Sequence, residues 1–135
     1  MRIVLCGSMS ASANVIEVSK ELQNKGHDVI VPENIAEHAK GQNLLESKDE
    51  KITFNVFKNY FHEIEQADAV LIVNTEKNGQ KNYIGPNTLI EMAFAHVLDK
   101  PIYILHEIPD CSYSDELYAM HPIALHGDIK ILPLA

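Results

Sequence analysis

Residues 68–73 of this sequence are DAVLIV, an apolar run that follows a single aspartate. Two more short apolar runs flank it along the chain, RIVLC at residues 2–6 and PIYIL at residues 101–105. Strands that are apolar on consecutive residues are buried on both faces, which is typical of the centre of a parallel sheet. We therefore predict three central parallel strands, with further strands at residues 27–31 and 129–132.

Helical patterns separate these strands. Apolar residues recur every three to four positions through residues 11–22, and Gly26 then favours a helix end. The same period runs through residues 52–64 and 87–98, and residues 115–120 are predicted to form a short fourth helix. Alternating strands and helices predict an α/β fold, a doubly wound five-stranded parallel sheet in the flavodoxin-like order 2-1-3-4-5.

Composition excludes several classes of function. The chain has 19 acidic and 11 basic side chains and a formal net charge of -8, so it is not expected to bind a nucleic-acid polymer or an anionic membrane. Two widely spaced cysteines predict no disulfide framework, and the histidines lack metal-ligand spacing, so we expect neither a metal nor a cofactor.

We predict a single domain over residues 1–135, and no signal-peptide or membrane-span pattern is evident, which indicates a cytoplasmic protein.

The predicted strand order also locates the site. Ligands bind where the order reverses, beyond the carboxyl ends of the first and third strands. This rule selects residues 7–13 and 74–91. The polar, acidic segment 33–50 is either a solvated helix and loop or a lid over that site.

The first of the two loops consists of Gly7, Ser8, Met9 and Ser10. Glycine lets a ligand approach the backbone closely, and hydroxyl and N–H groups at a helix start suit a phosphate or sugar oxygen. The loop matches neither the P-loop nor the GxGxxG pattern. The serines are equally well explained as caps of the following helix, so both interpretations stay open.

The second loop spans residues 74–85, starts with Asn74, a predicted substrate contact, and is followed by Glu91. Glu91 is the sole charge in the apolar segment LIEMAFA, residues 89–95. A carboxylate buried without partners is strongly disfavoured. Glu91 is therefore either a solvent-facing residue on a half-buried helix or a carboxylate with hydrogen-bond partners and a chemical task.

Three stretches together carry a resemblance to a known family: CGS at residues 6–8, ADAVLIVN at residues 67–74 and GPNTLIEMAFAHVLDKPIYIL at residues 85–105. They resemble the nucleoside 2-deoxyribosyltransferase superfamily, which includes the 2′-deoxynucleoside 5′-phosphate N-hydrolases. The resemblance implies an enzyme that cleaves the base–sugar bond of a nucleoside or nucleotide.

The resemblance also implies roles for individual residues. Glu91 corresponds to the nucleophile, which would form a glycosyl ester with the sugar. Gly7 and Ser8 correspond to residues that line the nucleotide pocket. The family further implies a homo-oligomer in which the site is completed across a subunit interface.

Three positions depart from the family pattern. Tyr60 stands where relatives carry an aspartate, Gly85 where they have an aspartate or serine, and Ser10 where the phosphohydrolases have an arginine. Tyr60, His62 and Asn87 are candidates to replace the missing groups, Tyr60 as a catalytic residue and Asn87 with Gly85 as substrate contacts. Each also has an ordinary explanation, Tyr60 as a core aromatic, His62 as a surface residue and Asn87 as a helix cap.

These departures leave a second function open, a nucleotide-binding module of the same fold without glycosidase chemistry. Such a module predicts stabilisation by a nucleotide without turnover. An enzyme predicts release of free base, and an oligomeric scaffold with an unused cleft predicts neither effect.

Overall fold

A sheet of five parallel strands forms the centre of the computed structural model, which describes residues 1–32, 35 and 55–133. In chain order the strands are β1 (Arg2–Cys6), β2 (Asp28–Ile30), β3 (Ala69–Ile72), β4 (Ile102–Ile104) and β5 (Ile123–Ala124). Their order across the sheet is β2-β1-β3-β4-β5, and every neighbouring pair is parallel. The predicted α/β fold and strand order are confirmed.

Four α-helices connect the strands in the described part of the chain: α1 (Ser12–Asn24), α2 (Val56–Glu65), α3 (Pro86–Val97) and α4 (Ser114–Ala119). They confirm the four predicted helices, except that the predicted start of the second, residues 52–54, lies outside the described residues. In α3 the proline takes the first helical position, where its missing N–H costs nothing. None of the helices in the described ranges has the length and apolar character that a membrane crossing needs.

The prediction for the last strand is wrong. Residues 129–132 were expected to form it, but Ile129–Ile131 is a single-turn 3-10 helix, and the fifth strand is the two-residue segment Ile123–Ala124. His121 and His126 bracket that segment in the left-handed region, with φ of 53° and 54°. The Asp128 side chain then caps the 3-10 helix by accepting from the Lys130 N–H at 2.9 Å.

The two faces of the sheet carry separate cores. On one face Leu5 packs in a buried cluster with Leu22 of α1. On the other face Cys6 belongs to a cluster with Ile64 of α2 and Met92 of α3. Side chains alternate between faces along a strand, so the last residue of β1 is directed towards the helix that carries Glu91. The segment 33–50, the predicted loop or lid, lies outside the described residues apart from a buried residue at position 35.

Candidate active site

The two predicted loops leave β1 and β3 side by side. Beyond the paired ends of these strands, the Val73 N–H donates to the Cys6 carbonyl at 2.7 Å. A β-carbon on Gly7 would stand 3.2 Å from the Val73 carbonyl oxygen and 3.3 Å from Cγ2 of Val15. A glycine therefore fits best here because the loop and α1 approach closely. This close approach explains why the predicted site residue Gly7 has no side chain.

The serines of the first loop cap its helical turn. Ser8 precedes the 3-10 helix Met9–Ala11, and its Oγ accepts from the Ser10 N–H at 3.3 Å. The two serine hydroxyls also lie 2.8 Å apart. Met9 is half-buried against the core on the α1 face. The capping interpretation thus describes what the serine side chains do in this structure.

The second loop begins as a tight hairpin. Lys77 and Gln80 form an antiparallel bridge, and the residues between them, Asn78 and Gly79, have φ of 50° and 82°. Positive φ at both central positions is the requirement of the two-residue turn that Asn-Gly favours. The hairpin brings the Lys77 Nζ over the Tyr83 ring, 4.9 Å from its centroid.

The end of this loop is anchored to the segment before α4. The Tyr113 hydroxyl donates to the carbonyl of Ile84, whose side chain is buried. The next residue, Gly85, is the N-cap of α3, and the Tyr83 ring fills the space beside it. Burial and the neighbouring Cys111 and Tyr83 raise the pKa of Tyr113, so its phenol stays a donor.

Asn74, predicted to contact substrate, connects two loops at this edge. Its Nδ2 donates to the Glu107 carbonyl at 2.9 Å, and its Oδ1 accepts from the His106 N–H at 2.9 Å. The side chain is fully buried. These contacts hold the loop after β3 against the loop after β4.

Glu91 lies in the second turn of α3 and is half-buried. Its neighbour Met92 is fully buried, and Thr88, one turn earlier, is 1 % exposed. The Glu91 carboxylate lies near enough to Cys6, at the end of β1, to raise the pKa of that buried thiol. Glu91 is therefore half-buried beside the core, on a helix whose next residue is fully buried.

Cys6 is a neighbour of Glu91 that the sequence interpretation did not foresee. Burial raises the pKa of its thiol well above the usual value, and the nearby Glu91 carboxylate raises that pKa further. The sequence offered one signal, the position of Cys6 at the end of a central strand, but a cysteine there is typical of ordinary packing.

Tyr60, on α2, is buried in the same cluster as Cys6. Its hydroxyl donates to the Leu5 carbonyl, and the residue is 8 % exposed. Burial raises the pKa of this phenol well above its usual value, and charges on Cys6, Glu91 and Glu63 add to the effect. The Tyr60 phenol therefore stays protonated, and its hydroxyl hydrogen is used in the hydrogen bond to the Leu5 carbonyl of β1.

Asn87 and Thr88 lie in the first turn of α3, close to Glu91 in the helix. Asn87 is half-buried and stands four residues before Glu91, so the two side chains share one face of the helix. Thr88 has a buried hydroxyl with no hydrogen-bond partner among the described residues. The sequence interpretation did not single out Thr88, since threonine near a helix start is unremarkable in a pattern.

A separate cleft of about 210 Å³ opens on the α1 face of the sheet. Its lining includes Glu17, His106, Asp128 and Lys130, and none of the predicted site residues. The volume is below the range usual for small-molecule sites, so this cleft is a weaker candidate site than the surroundings of Glu91. No three His, Cys, Asp or Glu side chains of the described segments are placed to hold a metal ion.

Comparison with solved structures places this arrangement among known folds. No protein-family model and no curated protein match the sequence. A 2-deoxyribosyltransferase from Bacillus psychrosaccharolyticus aligns with a TM-score of 0.55 at 24% identity, over 77% of this chain and 71% of its own. The Clostridium botulinum CMP N-glycosidase BcmB aligns with a TM-score of 0.52 at 17% identity, over 92% of this chain and 88% of its own.

Both proteins are in the nucleoside 2-deoxyribosyltransferase-like superfamily. The chain shares the fold of these two proteins. The resemblance carried by the sequence motifs is therefore confirmed at the level of fold. Activity and substrate are separate questions, because fold alone does not fix function.

Proposed function

We propose that this protein cleaves the N-glycosidic bond of a nucleoside or nucleotide, as a hydrolase or a 2-deoxyribosyltransferase, with Glu91 as the nucleophile. The observation that carries the proposal is the position of Glu91. It is half-buried in the second turn of α3, the helix that follows β3, and its carboxylate lies near enough to Cys6 at the end of β1 to raise the pKa of that thiol. Both solved structures of the same fold bear names that describe chemistry at this bond.

The chemistry of the bond suits a carboxylate. As the bond between the base and the anomeric carbon breaks, its electron pair leaves with the base and positive charge develops on the sugar. A Glu91 oxygen bonds to the anomeric carbon and forms a glycosyl ester. Water then displaces Glu91 and gives the free sugar, whereas attack by a second base gives a new nucleoside.

The departing base must be protonated, and Tyr60 is poorly placed to donate that proton. The Tyr60 hydrogen is donated to the Leu5 carbonyl, and the phenol is buried. In the proposed mechanism Tyr60 supports β1, and a water molecule in the site protonates the base. The hydroxide that remains attacks the glycosyl ester in hydrolysis, or takes the proton of the incoming base in transfer. Asn87, one turn before Glu91, is positioned to contact the sugar or base.

The proposed substrate class includes uncharged nucleosides as well as monophosphates. Ser10 lacks the positive charge of an arginine, and its hydroxyl forms a hydrogen bond with the hydroxyl of Ser8. Gly7 and Gly85 offer only backbone groups to a ligand, together with the N-terminus of α3. A chain with a net charge of -8 also gives no long-range attraction for an anion.

We further propose that a second copy of the chain completes the site. The exposed side of α3, the helix that carries Glu91, includes Ile90 at 39 % exposure and Val97 at 71 %. Apolar residues on one helix face favour contact with another protein surface. Sedimentation that shows a monomer at every concentration would remove this part of the proposal.

A non-catalytic nucleotide-binding module is the second candidate. It is favoured by the absence of a side chain at Gly85 and by the engaged hydroxyl of Tyr60. It predicts that CMP or a 2′-deoxynucleoside raises the melting temperature while the ligand stays intact.

Base release distinguishes the two candidates. We would incubate the protein with ribonucleosides, 2′-deoxynucleosides and their 5′-monophosphates, with and without a second free base, and separate the products by chromatography. The proposal expects free base or an exchanged nucleoside from the wild type and neither from Glu91→Gln. Glu116→Gln is the matched control, because Glu116 is an exposed helical glutamate on α4. Equal turnover by wild type and Glu91→Gln would refute the assigned role.

A further inference from the structure

The Tyr83 side chain is fixed beside the start of α3. Its hydroxyl lies 2.9 Å, and its ring carbon Cζ 3.2 Å, from the point at which a β-carbon on Gly85 would stand. The Tyr83 N–H donates to the Thr75 carbonyl at 3.3 Å. The next carbonyl along the chain, that of Ile84, accepts from the Tyr113 hydroxyl. The backbone around Tyr83 is therefore held, and with it the phenol.

The phenol stands where α3 has no side chain of its own. Gly85 is the N-cap of α3, and no side chain caps the helix there. A hydroxyl or carboxylate on residue 85 would extend from the same β-carbon point into the space that the Tyr83 hydroxyl holds. Within residues 1–32, 35 and 55–133 this hydroxyl forms no hydrogen bond. Because Tyr83 is half-buried and not enclosed, its hydroxyl is available to a ligand.

Lys77 adds a positive charge next to this hydroxyl. The tight turn between Lys77 and Gln80 places the ammonium over the Tyr83 ring, 4.9 Å from its centroid. No carboxylate of the described segments forms a salt bridge with Lys77. An ammonium and a hydroxyl side by side are donors suited to phosphate and sugar oxygens.

The first turn of α3 gives a second indication of a bound oxygen. The helix has 12 residues, and the N-terminus of such a helix carries a partial positive charge. Thr88 is 1 % exposed, and its hydroxyl has no hydrogen-bond partner among the described residues. Helical side chains point towards the N-terminus, so this hydroxyl is directed to the same end as that of Tyr83. A buried hydroxyl without a partner is unfavourable, and a ligand oxygen at this end supplies one.

The separation from Glu91 suits the sugar of a nucleoside. Gly85 and Glu91 are six residues apart in sequence, which corresponds to about 9 Å along a helix. The Glu91 side chain shortens that gap, because it extends towards the N-terminus. When the anomeric carbon is at the Glu91 carboxylate, the 5′ end of the pentose can extend to the start of α3.

We propose that Tyr83 and Lys77 determine the specificity of this site for the 5′ end of its substrate. The inference rests on the proposed function of Glu91. The Tyr83 hydroxyl donates to the 5′ oxygen, whether that oxygen belongs to a hydroxyl or to a phosphate, and the Lys77 ammonium contacts the phosphate. The pair therefore makes a 5′-monophosphate the better substrate, and Tyr83 supplies the donor side chain that Gly85 lacks.

Binding to Glu91→Gln tests the inference without turnover. Isothermal titration calorimetry would compare CMP, cytidine and 5′-deoxycytidine, and the matching series of the other bases and of the 2′-deoxy sugars. Adding Tyr83→Phe is expected to weaken the monophosphate and the nucleoside about tenfold. It should leave the 5′-deoxynucleoside unchanged, because that probe lacks the 5′ oxygen. Adding Lys77→Met is expected to weaken the monophosphate about tenfold and to change the nucleoside little.

Tyr118→Phe and Lys81→Met are the matched controls, because Tyr118 is 62 % exposed on α4 and Lys81 is an exposed lysine of the same loop. Both should bind all probes as their parent does. Unchanged affinity of Tyr83→Phe for monophosphate and nucleoside, an equal loss with the 5′-deoxynucleoside, or no binding in any series would overturn the inference. If the probes bind as expected but the wild type releases no base, the proposed function alone fails.

Discussion

The Tyr83 hydroxyl lies 2.9 Å from the point at which a β-carbon on Gly85 would stand, and its ring carbon Cε1 lies 3.1 Å from the same point. Gly85 has an ordinary extended backbone, with φ of -86° and ψ of 178°. The glycine is therefore required by the neighbouring ring and not by its own backbone. The ring occupies the space that an aspartate or serine at this position would need.

This relationship predicts a coupled effect of two substitutions. Gly85→Ala should lower the free energy of unfolding by about 1 to 2 kcal/mol, because the new methyl group displaces the Tyr83 ring. The same change made together with Tyr83→Ala should cost clearly less. Urea unfolding of the four proteins in a double-mutant cycle measures the coupling. An identical penalty in both backgrounds would show that the ring is not the obstacle.

Asn74 is expected to stabilise the two loops at the carboxyl edge of the sheet. Asn74→Leu removes the partners of the Glu107 carbonyl and the His106 N–H, so the free energy of unfolding should fall by about 2 kcal/mol. Gln80→Ala, an exposed amide substitution in the same loop, should change it by less than about 0.5 kcal/mol. Urea unfolding midpoints compare the two, and equal small effects would contradict the assigned support.

Tyr60→Phe separates support of β1 from acid catalysis. The change removes the hydroxyl that donates to the Leu5 carbonyl and keeps the ring, so stability should fall by about 1 kcal/mol while turnover stays within a few-fold of wild type. Tyr113→Phe is the matched control, since the Tyr113 hydroxyl also donates to a backbone carbonyl. A loss of turnover by orders of magnitude in folded Tyr60→Phe alone would assign Tyr60 the proton transfer.

His27 is expected to make stability depend on pH. It is buried, and the Met1 amino group lies 3.1 Å from its Nδ1. Burial lowers the pKa of His27, and the charges of Met1 and Lys25 lower it further. The unfolded chain, with a histidine pKa of about 6.5, therefore binds this proton at a higher pH than the folded chain. Stability conferred by the neutral imidazole is present above that pH and is lost as the pH falls.

His27→Gln should accordingly lose less stability than wild type between about pH 7 and pH 5. Unfolding free energies at several pH values, with any tag at the C-terminus so that Met1 stays first, measure the difference. His96→Gln removes an exposed imidazole from α3 and controls for the loss of a histidine. Parallel curves for wild type and His27→Gln would contradict the linkage.

The fold was predictable where burial alone dictates the pattern. β1 and β3 are buried along almost their whole length, and such strands are recognisable from consecutive apolar residues. The two-residue strand Ile123–Ala124 was missed because it is too short to carry a pattern and is bounded by left-handed histidines.

The site was predictable in part. Glu91 stood out because a single charge in an apolar helix needs an explanation. The proximity of Cys6 could not be predicted, since the two residues lie on elements distant in sequence and a buried cysteine is typical of a core. Asn74 illustrates another limit, because a polar residue at a loop start gives the same pattern whether it faces a ligand or a neighbouring loop.

A covalent intermediate on Glu91 is the most direct test of the proposed chemistry. We would quench the wild-type protein with acid during turnover of a nucleoside or nucleotide that it cleaves, digest it and map the peptides by mass spectrometry. The account predicts a sugar ester on the peptide that contains Glu91, located to that residue by fragmentation. Base release with the sugar attached to another residue, or with the Glu91 peptide unmodified throughout turnover, would contradict it.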